Sequence, residues 1–249
     1  MNQEVIDFGN MKTGMEDKIF LEKVKNIFRK ISSAAIRSER NPFDVKLIAV
    51  TKTVPFDRIK VAIDLGLRIF GENRVQEAQE KISDCRLQCA DCDIEWHMLG
   101  HLQKNKAKPA VELFDLIHSL DSVELAETLN KHAEKAGKVQ RVLIEVKLSE
   151  EETKHGVSRK DLMGLIEAVS DMKNLKLEGL MTMPPFFENP EMARQFFREL
   201  RELRDKAEKA GFELPELSMG MTNDYEVAIL EGATMVRIGT GIFGERRCK

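Results

Sequence analysis

Eight short apolar runs, each set apart from the next by a stretch of helical periodicity, constrain this chain more than any other feature. The runs fall at residues 47–50, 67–70, 94–100, 116–120, 141–148, 176–183, 216–221 and 235–238. Helical stretches separate them at 57–64, 75–83, 105–113, 123–136, 160–172, 190–210 and 225–231. Short apolar runs rich in β-branched residues and bounded by Gly, Pro or Asn read as buried strands. Strands alternating with helices over connections of a few residues are the pattern of parallel βαβ units. Eight such units in 249 residues match the repeat number and size of a closed (β/α)8 TIM barrel. An open doubly wound sheet is the rival, but its glycine-rich turn after the first strand is missing. Ahead of the first strand, Ile19, Phe20, Val24, Ile27, Phe28, Ile31 and Ala35 recur at helical spacing. They predict an extra N-terminal helix over 16–38, ended by Asn41-Pro42. No low-complexity or Gly/Ser/Pro-rich linker interrupts the pattern, so one domain over residues 1–249 is expected.

In such barrels the functional site lies at the C-terminal ends of the strands, and phosphate commonly binds after strands seven and eight. Strand one delivers Lys52, where an apolar run emerges and Pro55 closes the segment. A lysine there is a candidate for Schiff-base chemistry or an ordinary solvated strand end. Strand two delivers Asn73 after Gly71 and Glu72, and strand three delivers His97 and His101 around Gly100. Along strand five, Val142, Ile144, Val146 and Leu148 share one face, and Leu143, Glu145 and Lys147 share the other. Charges on that second face imply a wet or paired lumen near the mouth. Strand six ends in Met181, Thr182 and Met183, strand seven runs into Gly220, Met221, Thr222 and Asn223, and strand eight carries Arg237 and then Gly239-Thr240-Gly241.

Side-chain alternation puts Ile48, Val50 and Lys52 on one face of strand one, and Met235, Arg237 and Gly239 on one face of strand eight. These two strands become neighbours when a barrel closes. The run GTGIFG reads equally as a tight turn or as a phosphate cup at a helix start. With Thr222 beside it, an aldehyde-bearing phosphate could be held covalently by Lys52 and by its anionic tail at Gly239 and Thr240. Arg237 would then face the middle of the ligand. A lysine partly desolvated near a cation has a lowered pKa, as Schiff-base formation requires. Pyridoxal phosphate fits that description.

The runs VTKTVP, FGENRVQEAQEK, EWHMLGHLQKNK, SMGMTNDYEVAI and TMVRIGTGIFGER, in that order, resemble the pyridoxal-phosphate homeostasis protein family. Its members are relatives of the barrel half of the alanine racemases, and the likeness extends from about residue 47 to 246. The resemblance implies Lys52 as the covalent aldimine lysine and Arg237 as partner of the pyridine nitrogen. It further implies phosphate binding by Thr222, Gly239 and Thr240, with Asn73 and Met181 beside the cofactor. Thr222 stands where relatives usually carry serine, which preserves the hydroxyl. Glu145 and Lys147 stand where relatives often carry amides.

Function then divides between carrier and enzyme. An arginine at the pyridine nitrogen disfavours its protonation, which weakens the ring as an electron sink. Racemisation tolerates this but needs a second base, which in the racemases the resemblance places on a further β-rich domain. Tyr225, the single tyrosine, is read as a helix residue beside the phosphate. The expectation is a protein that buffers pyridoxal phosphate and delivers it to pyridoxal-phosphate-dependent apoenzymes. A slow amino-acid racemase and a cofactor-free class I aldolase type are the alternatives.

The remaining signals are weaker. Cys85, Cys89 and Cys92 have the C-x3-C-x2-C spacing of iron–sulfur loops in radical enzymes, with His97 as a fourth ligand. They lie before strand three, at the barrel's N-terminal face, so free thiols on an exposed connection are expected. His97 and His101 share the i, i+4 spacing of helical zinc sites, but Gly100 interrupts, and both are read as loop residues at the site mouth. No metal is expected. The turn Lys154-His155-Gly156 is read as exposed, with a phosphate-lid contact as the alternative. A net charge of −3 gives no footprint for nucleic acid or anionic lipid. No apolar run approaches a membrane span, and the N-terminus lacks a secretory layout, so a cytoplasmic monomer is expected.

Overall fold

The computed structural model describes residues 15–90, 92–151 and 155–245. In chain order the strands are β1 (Lys46–Val50), β2 (Ile69–Glu72), β3 (Glu95–Met98), β4 (Leu116–Leu120), β5 (Gln140–Glu145), β6 (Leu175–Met181), β7 (Glu216–Ser218) and β8 (Met235–Ile238). All neighbours are parallel, and the order β1 to β8 closes on itself through β1–β8 pairing. The helices are α1 (Met15–Arg37), α2 (Phe56–Asp64), α3 (Val75–Gln88), α4 (Ala107–Leu113), α5 (Val123–Lys135), α6 (Leu162–Ser170), α7 (Arg194–Lys209), α8 (Tyr225–Leu230) and α9 (Thr240–Phe243). The expected (β/α)8 barrel and its N-terminal helix are both present. Among the described residues, no helix is long and apolar enough to cross a membrane.

Two apolar shells follow from strand alternation. Outward-facing residues such as Leu47, Ala49, Val142 and Ile144 pack beneath the helices. Inward-facing Ile48, Ile69, Leu99, Leu116, Leu143, Met181 and Met235 fill the lumen. The division on β5 is the one its alternation predicts, with Leu143 and Glu145 on the lumen side. α1 buries Phe20, Val24, Ile27 and Ile31 at 3–4 residue spacing, the stripe that gives an amphipathic helix its packing face. Phe20 meets the Phe243 ring of α9 at 5.7 Å, and Lys30 pairs with Glu226 of α8 at 2.9 Å.

The differences from expectation lie at element ends. α3 continues to Gln88, so Cys85 belongs to a helix rather than to a connection. β5 stops at Glu145 because the chain turns back, leaving Val146 as an isolated bridge to Val157. The predicted helix at 190–210 opens as a 3-10 turn over Pro190–Ala193, capped by the Asn189 side chain. β7 is three residues long, and Gly220, at φ +91°, turns the chain out of it.

Candidate functional site

Lys52 leaves β1 half-buried, two residues beyond Val50, between two threonines that are held from outside the strand. Thr51 is fully buried; its hydroxyl donates to Glu72 Oε1 at 2.6 Å, and its carbonyl accepts from Lys81 Nζ at 2.6 Å. Lys81 also pairs with Glu72 at 2.7 Å and Glu77 at 2.6 Å. Glu77 in turn accepts the backbone N–H of Thr53 at 2.5 Å. Thr53 sits at φ +64°, a left-handed conformation that a β-branched residue rarely adopts. α3 therefore anchors the backbone on both sides of Lys52. Burial raises the Glu72 pKa against the pull of Lys81 and Thr51. Burial pushes Glu77 up too, but its hydrogen bonds from Lys81 and Thr53 prevail and hold it low.

Arg237 lies in the lumen, 4% exposed, paired in register with Ile48 of β1. It donates to Ser218 Oγ at 2.6 Å and to the Thr182 carbonyl at 2.9 Å. A chain of contacts continues from Ser218 Oγ to His118 Nδ1 (2.9 Å), from His118 Nε2 to His97 Nδ1 (3.0 Å), and from His97 Nε2 to Glu95 Oε2 (3.2 Å). Guanidinium can only donate, so Ser218 accepts from Arg237 and has its own proton to offer His118 Nδ1. With that orientation each neutral imidazole keeps its proton on Nε2 and donates along the chain, His118 to His97 and His97 to Glu95. Burial lowers the pKa of both histidines, consistent with neutral rings. The His97 hydrogen bond brings Glu95 down to about 2. Arg141 continues the chain toward the opposite rim, 3.0 Å from Glu95 and 3.0 Å from Glu178.

At the rim, Thr222 after β7 and Thr240 at the start of α9 bring their hydroxyls to 3.2 Å, and the Gly241 N–H donates to Thr222 Oγ1 at 3.3 Å. Gly239 lies beside the Val50 carbonyl: a Cβ there would be 3.4 Å from that oxygen, so the turn passes close to the β1 end. Asp224 fixes the intervening loop by accepting the Met221 N–H at 2.6 Å, and burial raises its pKa. Asn73 follows β2 directly; its carbonyl would be 2.4 Å from any Cβ on Gly100, which locks the β2 and β3 loops together. Met181 is buried in the lumen, in register with Glu145 and Ser218.

Lys52, Asn73, Met181, Thr222, Arg237, Gly239 and Thr240 therefore all lie in the lumen or around its C-terminal mouth. His97 does not sit in a mouth loop: it is an interior residue of β3, fully buried, because its position shares parity with lumen-facing Leu99. His101 is the mouth residue, and its ring stacks on that of His155 at 3.8 Å. That stack sets the exposed His155 beside the loop after β3; Lys154 lies outside the described residues. Cys85 and Cys89 are buried at the N-terminal side of β3. Among the described residues, the cysteines do not converge as a metal-holding group. His118, Ser218, Lys81 and Glu77 escape sequence reading. Ser218 and His118 have the lumen parity of their strands as their one signal, and the α3 pair has only its i, i+4 spacing.

The fold and the convergence of these strand ends define a barrel of the alanine racemase class, and the family described as the alanine racemase N-terminal domain matches residues 22–247. An Aquifex aeolicus pyridoxal phosphate homeostasis protein is 47% identical over 227 residues, covering 91% of this chain and 98% of that protein. This chain belongs to the pyridoxal phosphate homeostasis protein family. PipY of Synechococcus elongatus PCC7942, solved with PLP bound, superposes with a TM-score of 0.79 at 36% identity, covering 90% of this chain and 100% of that one. A crystal structure of a protein from Bifidobacterium adolescentis superposes with a TM-score of 0.87 at 33% identity, covering 95% of this chain and 100% of that one.

Proposed function

We propose that this chain binds pyridoxal 5'-phosphate covalently through Lys52 and acts in intracellular homeostasis of that cofactor, buffering it and delivering it to apoenzymes. The observation that carries the reading is the adjacency of β1 and β8, which sets Lys52, the buried Arg237 and the Thr222–Thr240 hydroxyl pair around one mouth. The donor set fits the group. Two hydroxyls at a glycine-flanked helix start suit a phosphate. Arg237 spends two of its five N–H groups on Ser218 and Thr182, and a third would face a pyridine nitrogen. Asn73 and Met181 would flank the ring.

Bound pyridoxal phosphate supplies an aldehyde for the lysine and a conjugated ring that can take up electrons. Burial pushes Arg237 down to about 10, still well above neutrality. It would therefore stay a donor toward a ring nitrogen and would take no proton-accepting role. A ring nitrogen kept unprotonated is a poor electron sink, which disfavours transamination and decarboxylation. Tyr225 is 5% exposed, burial pushes its pKa to about 12, and its backbone packs on Gly220. It is therefore unsuited to serve as a second base opposite Lys52. We read the protein as a carrier without robust catalysis, acting as a single-domain monomer in the cytoplasm.

The test is the absorption spectrum and mass of purified full-length protein with and without borohydride. Expected is a yellow protein in which reduction fixes one cofactor on the peptide containing Lys52, and a Lys52→Ala variant that fixes none. Colourless protein that cannot be reconstituted would return the reading to a cofactor-free Schiff-base enzyme. Racemisation of free alanine or serine, abolished in Lys52→Ala, would overturn the carrier assignment.

A further inference from the structure

We propose that His101, Asp121 and His155 form a binding site for one divalent transition-metal ion of zinc-like preference on the rim of the barrel mouth. The three residues come from three successive strand-end loops, after β3, after β4 and after β5. Their ligating atoms all lie within 4.8 Å of one another. His101 Nδ1 is 3.3 Å from Asp121 Oδ2, and the two imidazoles stack with 11° between their planes.

The size of the adjustment decides whether such a group can close on an ion. Tetrahedral zinc with Zn–N bonds of about 2.0–2.1 Å sets its ligand atoms about 3.4 Å apart. Drawing the group in by about 1.4 Å at its widest suffices, and His101 and His155 are exposed side chains. Their backbones, in contrast, are pinned. Next to His101, Gly100 packs on the Asn73 backbone; next to His155, Gly156 packs on Lys147 and the Glu145 carbonyl at φ +119°, and any Cβ on either glycine would clash. The following residue, Val157, donates its N–H to the Glu145 carbonyl at 2.8 Å and accepts from Lys147 N–H at 2.9 Å. Asp121 directly follows the last residue of β4, and Ser122 behind it caps α5. Three fixed anchors carrying adjustable tips make a partly preorganised site.

Two imidazoles and one carboxylate suit zinc, nickel or cobalt; magnesium and calcium prefer sites built from oxygen alone. Three protein ligands leave at least one position to water. The site lies in the β3–β5 sector of the mouth and uses none of the residues assigned above to the cofactor. An ion there would tie three mouth loops together.

Equilibrium dialysis of the full-length protein against Zn2+, with metal counted by atomic absorption, tests this. Expected is one Zn2+ per chain, with affinity falling at least tenfold in each of His101→Ala, Asp121→Asn and His155→Ala while circular dichroism stays unchanged. The half-exposed Cys92 is the competing ligand, so Cys92→Ser is the control and should leave binding intact. Failure to retain Zn2+ at micromolar concentration, or binding lost in Cys92→Ser and kept in His155→Ala, would overturn the proposal.

Discussion

Ser218 accepts the Nη1–H of Arg237 at 2.6 Å in a lumen that excludes solvent. One hydroxyl thus joins the barrel's buried cation to a pair of neutral imidazoles. Removing it leaves a charged donor short of an acceptor, a loss of about 1–3 kcal/mol. Ser218→Ala should lower the urea-unfolding free energy by that amount. It should also weaken pyridoxal phosphate binding and shift the absorption band of the bound cofactor, because the guanidinium loses its orientation. An unchanged spectrum and affinity would limit Ser218 to a structural part.

The histidine pair predicts an acid weakness. Burial holds the pKa of His97 and His118 below the ordinary value of 6.5. The unfolded chain therefore takes up protons near pH 6.5 that the folded chain refuses. Their contribution to stability is present above pH 6.5 and is lost as pH falls from there toward the folded-state values. The slope is up to about 1.4 kcal/mol per pH unit for each ring. Urea midpoints measured at pH 7.5 and 5.5 should drop clearly, and a flat profile would mean that both rings ionise within the fold.

Much of this molecule is legible in its sequence because period-two and period-3.6 patterns survive in a barrel whose strands pack on both faces. The adjacency of β1, which leads to Lys52, and β8, which carries Arg237, follows from barrel closure alone. The limits of legibility are equally physical. His97 and His118 touch because their strands are adjacent, a relation that one-dimensional spacing does not carry. The i, i+4 neighbour of His97 is a loop residue that instead meets His155, 54 positions along the chain. Cys85 reads as part of a connection because Ser83 and Asp84, both weak helix formers, precede it, whereas α3 runs on through Arg86, Leu87 and Gln88. Thr53 gives no warning of its left-handed backbone: it sits third in a Thr51–Val54 turn, and its N–H donates to a carboxylate 24 residues away.

The anchoring of Lys52 by α3 can be broken at one atom. Lys81 is the cation between Glu72, which is fully buried, and Glu77. Lys81→Met would leave the Glu72 carboxylate buried without its partner, and a broken buried pair typically costs about 3–5 kcal/mol. The variant should melt lower. If it is still folded at 20 °C, it should fix less cofactor on Lys52 after borohydride, because the carbonyl of Thr51 loses its ammonium. Full labelling at unchanged stability would show that the lysine's presentation is set by the turn after β1 and not by α3.

Cysteine reactivity separates the cluster at the far end of the barrel. Burial, together with Cys89 and Cys92 close by, pushes the Cys85 thiol up to about 11. Thiolate is the reactive form, so at pH 8 only about one Cys85 in a thousand is poised to react. Cys92 is the more accessible of the cluster, whereas Cys85 and Cys89 are 4% and 8% exposed. Iodoacetamide at pH 8, followed by peptide mapping, should mark Cys92 early and Cys85 only after denaturant is added. Cys248, outside the described residues, is resolved on its own peptide. Early labelling of Cys85 in native buffer would mean that the end of α3 opens on the experimental timescale, and with it the helix that carries Glu77 and Lys81 to the backbone beside Lys52.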